Sequence, residues 1–304
     1  MSVDLLEKIQ RLKEQRNAII LAHNYQPGEI QDLADYAGDS LGLSVEAART
    51  NAETIVFCGV RFMAETAAIL SPKKTVLLPE KHAGCPMADM INAAQLQEMK
   101  DKYPDALVVC YVNSTAEVKA LSDYCCTSGN ALELVESLPK DRLILFVPDK
   151  NLGGFINERI DREMILWPGY CSTHVRILVE DVQKARQEHP DALLLAHPEC
   201  NPDVRLLADE LLSTGQMLKF ARTSNVREFI IATENGILHT LRKQNPDKLF
   251  YPVTEKAICP NMKKISVEKV LWALQDMQYH ITVPEPIAAN AKRSLDRMID
   301  VLPK

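Results

Sequence analysis

The sequence predicts an α/β protein: three homologous αβα-sandwich domains with parallel sheets arranged around a pseudo-threefold axis, and an active site at that axis. Three recurring features point to it. Short apolar runs AIILAHNY (18–25), LVVCYVNS (107–114) and LLLAHPEC (193–200) end on His23, Tyr111 and His197. Seventeen residues after each of these lies a hydroxyl, at Ser40, Ser128 and Thr214. A cysteine then follows the last apolar run of each copy, Cys85, Cys171 and Cys259, at 62, 60 and 62 residues from the same starting points.

Each first run is almost wholly apolar, as a strand covered on both faces of a parallel sheet must be. The hydroxyls lie near glycines and lead into helical patterns, SLGLSVEAART, SGNALELVESL and STGQMLKFART. Further strands follow: TIVFCGV, RLILFVP and EFIIATE, then KTVLLPE, REMILWP and KLFYPVT. Strands alternating with helices imply right-handed crossovers and parallel pairing. The domains are expected over 17–101, 102–188 and 189–280. Helices over 2–16 and 283–302 are expected to pack on the first unit and cover an exposed face.

The chain has 304 residues, 46% hydrophobic and 25% charged, which excludes wholesale disorder and leaves ample material for a core. A net charge of −6 argues against general nucleic-acid binding. No apolar run approaches the roughly 20 residues needed to cross a bilayer. The start, MSVDLLEKIQRLKEQRN, lacks the apolar stretch of a signal peptide. A cytoplasmic, reducing setting is therefore expected, with neither membrane nor nucleic acid as partner. In that setting eight cysteines point to metal or catalysis rather than disulfides. The absence of a CxxC pair excludes zinc-ribbon and bacterial ferredoxin patterns.

Ligands collect beyond the carboxyl ends of open parallel sheets, where Cys85, Cys171 and Cys259 are expected to sit. Cys58 and Cys110 fall inside strands and read as core. Cys125 and Cys126 read as core or loop filler, and Cys200 stays open beside Glu199. Three converging thiolates suit a zinc ion with a fourth ligand, or a [4Fe–4S] cluster with one iron left open as a Lewis acid. Ser40, Ser128 and Thr214, with Ser213 nearby, read equally as N-caps or as an anion site at converging helix starts. Such a site suits phosphate or a dicarboxylate; neither GxxxxGK[ST] nor GxGxxG is present. His23, His197 and Glu199 can move protons, with His174 and His82 close to cysteines and the His197–Glu199 pair tunable near neutral pH. Tyr25 and Tyr111 can donate to an oxyanion. His189, His239 and His280 read as ordinary polar groups.

The segments AHNYQ, YVNSTAEVKA, CTSGNA, PDKNLG, WPGYCSTH, HPEC, STGQML and CPNMKK resemble the quinolinate synthase family, along the chain from Ala22 to beyond Cys259. The resemblance implies an oxygen-sensitive [4Fe–4S] cluster on Cys85, Cys171 and Cys259, with one iron open to substrate. It implies condensation of iminoaspartate with dihydroxyacetone phosphate, with loss of phosphate and two waters, to give quinolinate for NAD biosynthesis. Ser40, Ser128 and the Gly129 amide would bind phosphate or carboxylate. Asn113, Ser213, Thr214, Tyr111 and His197 would hold carboxylates. His23, Tyr25 and Glu199 would transfer protons, Glu199 being the base, with His174 beside them. Functional coupling to an L-aspartate oxidase or dehydrogenase is also implied. Met262 stands three residues after Cys259, where some members carry a cysteine, so a switching disulfide there is not available to this chain. Two other readings stay open. A phosphosugar aldolase would need a Schiff-base lysine, for which Lys81 and Lys150 lie near strand ends, or a metal-bound water. An iron–sulfur sensor would need an output module for which no residues remain.

Overall fold

The computed structural model describes residues 3–160 and 162–301; residues 2 and 302, the outer ends of the expected terminal helices, lie outside the described residues. The first unit runs α1 (Val3–Gln15), β1 (Ala18–His23), α2 (Gly28–Leu33), β2 (Tyr36–Gly38), α3 (Ser40–Arg49), β3 (Thr54–Cys58), α4 (Arg61–Leu70), β4 (Thr75–Leu77) and α5 (Ala93–Lys102). The second runs β5 (Leu107–Tyr111), α6 (Ala116–Ala120), β6 (Tyr124–Cys126), α7 (Ala131–Ser137), β7 (Ile144–Val147), α8 (Lys150–Arg159), β8 (Met164–Leu166) and α9 (Val179–Glu188). The third runs β9 (Leu193–Ala196), α10 (Pro202–Arg205), β10 (Glu210–Leu211), α11 (Thr214–Thr223), β11 (Glu228–Ala232), α12 (Ile237–Gln244), β12 (Leu249–Pro252) and α13 (Val267–Asp276), and α14 (Glu285–Asp300) follows.

Each run of four strands forms one wholly parallel sheet, and the strand order is the same in all three: β2-β1-β3-β4, β6-β5-β7-β8 and β10-β9-β11-β12. The α/β class and the three-fold repetition are as the sequence predicts. Register makes the repetition explicit. Leu21 pairs with Phe57, Val109 with Phe146 and Leu195 with Ile231, so His23, Tyr111 and His197 hold one position in three copies.

The second strand of each unit has only two or three residues, too few for a hydrophobic pattern. An aspartate holds it in place in every copy. Asp35, Asp123 and Asp209 accept the backbone N–H of Ile20 (2.8 Å), Val108 (2.8 Å) and Leu194 (2.7 Å), near the start of each central strand. These amides lie just before the short strand begins its pairing, so the carboxylate replaces a ladder bond that would otherwise be lost.

One expectation about the helices is corrected and another extended. Residues 267–276, placed in the third domain, pack instead on the first sheet: Val270, Ala273 and Leu274 share a core with Ile9, Ile20 and Val56. The preceding helices hand over in the same way, α9 burying Val182 and Ala185 against Leu194 and Ile230 of the third sheet. A helix that follows its own cysteine loop thus covers the next sheet, and α13 closes the ring. The C-terminal helix packs on α4 and α3 of the first unit, as expected, but lies chiefly against α6 and β6 of the second. The five-residue α6 is too short to cover its sheet, and Ala291, Leu295 and Met298 of α14 fill the gap. Burying each of the two larger side chains is worth about 1.5–3 kcal/mol. No helix among the described residues is long and apolar enough to cross a membrane.

Candidate active site

The carboxyl ends of the three central strands face one cavity. His23, Tyr25, Ser40, Tyr111, Asn113, Ser128, His174, His197, Glu199 and Thr214 line it, together with Cys85, Cys171 and Cys259. Two expected members do not. Ser213 and Gly129 line a neighbouring groove. Ser213 is the N-cap of α11, its hydroxyl accepting the Gln216 N–H at 3.3 Å. Asp39 does the same for α3, accepting from Gly42 at 2.8 Å. Ser40 and Thr214 are therefore first helical residues rather than caps, and their hydroxyls are released from capping to face the cavity.

His23 and His197 carry the same local device. The backbone N–H two residues on donates to Nδ1: Tyr25 to His23 at 3.1 Å and Glu199 to His197 at 3.2 Å. A ring nitrogen that accepts cannot carry the proton, so each neutral ring presents Nε2–H. Burial lowers both pKa values to about 3, and Lys263 adds to the effect at His23; the Glu199 charge opposes it at both rings without prevailing. His197 Nε2 lies 3.1 Å from Ser128 Oγ.

Glu199 pairs with His174, not with His197. His174 Nδ1 is 2.6 Å from its Oε2, whereas His197 Nδ1 is 3.8 Å away and already engaged by a backbone amide. Burial alone would raise the Glu199 pKa, but His174, His197 and Tyr111 together outweigh it and hold the group at about 2. His174 Nε2 reaches Thr233 Oγ1 at 2.8 Å, and Thr233 Oγ1 reaches the Tyr25 hydroxyl at 2.6 Å. Thr233 thus joins His174 to Tyr25 by hydrogen bonds, while His174 Nδ1 faces both the Glu199 carboxylate at 2.6 Å and Cys171 Sγ at 3.1 Å, so residues of all three units meet here. Burial and the Glu199 charge push the Tyr25 and Tyr111 phenols well up, so both remain donors. Glu199 Oε1 and Asn113 Oδ1 are buried acceptors without a partner. Such atoms are few in folded proteins and point to a ligand that brings donors.

Burial raises the Cys85 thiol to about 12 and pushes Cys171 well up, with Cys259 acting on Cys85 and Cys85 on Cys171. Thiols held this way ionise only for a cation that supplies the missing charge. Among the described residues the three sulfurs do not lie within 4.8 Å of one another, whereas donors of Cys171, His174 and Glu199 do. A single tetrahedral zinc, at about 2.3 Å from each sulfur, would bring its thiolates to roughly 3.8 Å. The three cysteines therefore do not form a ready-made site for one tetrahedral ion. Cys58, Cys110, Cys125, Cys126 and Cys200 are buried in strands or core away from the cavity. Neither Lys81 nor Lys150 lines it; their ammonium groups lie over Tyr279 and Tyr170. That removes the lysine form of the aldolase reading.

Asp39, Thr233, Glu234, Met262 and Lys263 belong to this site or support it, and composition does not single them out. Repeat position does in one case: Val60, Asp149 and Glu234 stand three residues beyond the paired Phe57, Phe146 and Ile231.

Comparison with known proteins extends over nearly the whole chain. A model of the quinolinate synthetase A protein family matches residues 7–300. The chain is 57% identical over 295 residues to a quinolinate synthase of Dehalococcoides mccartyi (strain CBDB1), covering 97% of each. It is 54% identical over 298 residues to quinolinate synthase 1 of Methanosarcina acetivorans, covering 98% of each. Identity to a quinolinate synthase of Geobacter metallireducens is 54% over 295 residues, 97% of each.

Proposed function

The chain belongs to the quinolinate synthetase A protein family, and on that footing we propose that it condenses iminoaspartate with dihydroxyacetone phosphate to quinolinate, releasing phosphate and two waters. One observation carries the reading. Cysteines from three units share a cavity with the ionised Glu199 carboxylate, the neutral imidazoles of His23 and His197, and the hydroxyls of Ser40, Ser128 and Thr214.

Cys85, Cys171 and Cys259 would hold a [4Fe–4S] cluster, which when bound supplies an open iron as Lewis acid toward a substrate hydroxyl or carboxylate. The protein's own groups do the rest. The Nε2–H of His23 and His197, the Tyr111 hydroxyl and the Asn113 amide hold carboxylates. Ser40, Ser128 and Thr214 offer hydroxyls to phosphate. Glu199, with Oε1 free, takes protons from carbon during tautomerisation and dehydration, and His174 and Thr233 connect it to the Tyr25 phenol. The roles expected of Ser213 and Gly129 fall to Thr214 and Ser128, which line the cavity. The imine must come from oxidation of an amino acid, which an L-aspartate oxidase or dehydrogenase would perform.

Protein prepared without oxygen should contain iron and acid-labile sulfide and form quinolinate from the two substrates. Zinc without sulfide would instead favour a single ion on Cys171, His174 and Glu199, the donors lying within 4.8 Å of one another. Iron and sulfide without quinolinate would favour a sensor. Cys171→Ser should lose both iron and turnover; full iron content in that variant would remove Cys171 from the ligand set.

A further inference from the structure

We infer that the Glu234–Lys263 ion pair is a latch that positions Cys259 and ties its loop to the strand end bearing His23 and Tyr25; this rests on the reading of Cys259 as a ligand. The three cysteine loops share one backbone tie. Arg61, Lys150 and Asn235 donate their N–H to the carbonyls of Ala83 (2.8 Å), Gly169 (2.9 Å) and Ala257 (2.8 Å), each two residues before a cysteine. The side chain just before each donor differs. Val60 cannot accept a hydrogen bond. Asp149 is committed to the start of α8, accepting from Leu152 at 2.7 Å with the Cys171 amide alongside.

Glu234 is one methylene longer and reaches the cysteine loop itself. Its carboxylate accepts the Cys259 N–H at 3.0 Å and the Gly236 N–H at 2.7 Å, and pairs with Lys263 Nζ at 2.9 Å. It is fully buried, so these partners are what make its charge tolerable. Lys263 lies four residues beyond Cys259 and also donates to the Tyr25 carbonyl. Both ends of the segment 259–263 are thus drawn to one carboxylate, and the ammonium carries the tie across to the first unit. Glu234 and Lys263 are positioning residues: they act through the Cys259 amide and the Tyr25 carbonyl.

The test compares wild type with Glu234→Gln, Lys263→Met and a control, Lys292→Met, which breaks the ion pair of Lys292 with Asp296 within α14, outside the cavity. In metal-free protein, iodoacetamide should label Cys259 about tenfold faster in both latch variants, because charge-assisted bonds that resist local opening are lost. Cys85 labelling should not change, and the control should alter neither thiol. In iron-loaded protein the reduction midpoint should rise in Glu234→Gln, which leaves an unpaired positive charge, and fall in Lys263→Met, which leaves a negative one. Unchanged Cys259 labelling, or equal acceleration at Cys85 and Cys259, would overturn the latch. If wild type carries no iron, the proposed function fails, and the labelling rates still decide the latch.

Discussion

His23 and His197 show how far two atoms of backbone can fix a side chain's chemistry. With Nδ1 occupied and the ring buried, each is held near pKa 3 in the folded protein against an ordinary 6.5. As pH falls below 6.5 the unfolded chain binds the proton first. The stability tied to each neutral ring is therefore complete above that value and lost progressively toward pH 3, at about 1.4 kcal/mol per unit. Asp149 works in the opposite sense, burial having raised it, so wild type alone does not isolate the imidazoles. His197→Gln should lose about 2 kcal/mol less stability than wild type between pH 7 and pH 5 in denaturant titrations. Equal losses would mean the ring is protonated in the folded state. Glu199→Gln should keep its iron and lose turnover by about 10²–10⁴-fold, as removal of a general base does; near-normal rates would dismiss it as the base. At this scale the strand-end residues were legible because the repeat brings out every one of them. The partner of Glu199 was not: His197 is two residues away in sequence, but its Nδ1 is taken by the backbone, and only the folded chain brings in His174 from another unit.

Elements were legible in proportion to their length. Central strands of four to six residues announce themselves as apolar runs, whereas β2, β6 and β10 have too few residues to show any period. Their signal was chemical, an aspartate twelve residues after each strand end (23 to 35, 111 to 123, 197 to 209). The Cys171 loop alone depends on a glycine for close backbone approach, at Gly169, where the other two loops have Ala83 and Ala257. A Cβ at Gly169 would fall well inside contact distance of the Pro148 carbonyl oxygen, backbone that cannot turn aside. Gly169→Ala should therefore push the Cys171 loop away from α8, with the tie from Lys150 stretched or broken. The expected result is a loss of about 1–3 kcal/mol in stability and iron content well below that of wild type. A variant with full iron and unchanged unfolding midpoint would show that the loop tolerates the displacement.

For the whole molecule, three separate sandwiches are what repetition suggests, and the helices contradict that independence. Each unit's closing helix covers a sheet that is not its own, so no unit buries its core alone. Sequence could not reveal this, because an amphipathic helix shows that it has an apolar face and not which sheet will receive it. The consequence is thermodynamic. Leu274, fully buried in α13 near the C-terminal end of the chain, packs with Ile9, Ile20 and Val56 of the first unit. Leu274→Ala should cost about 2–5 kcal/mol, as deletions of buried leucine do. If the ring is closed as described, that loss moves one cooperative unfolding transition for the entire chain, seen alike by circular dichroism and by the fluorescence of Trp167 in the second unit once Trp272 of α13, the chain's other tryptophan, is replaced by Phe. Independent units would respond differently: the first would melt early while Trp167 reported an unshifted midpoint. Two separated transitions in that variant would mean that the shared helices do not couple the sheets, and the cavity between them would then be a site assembled from parts free to come apart.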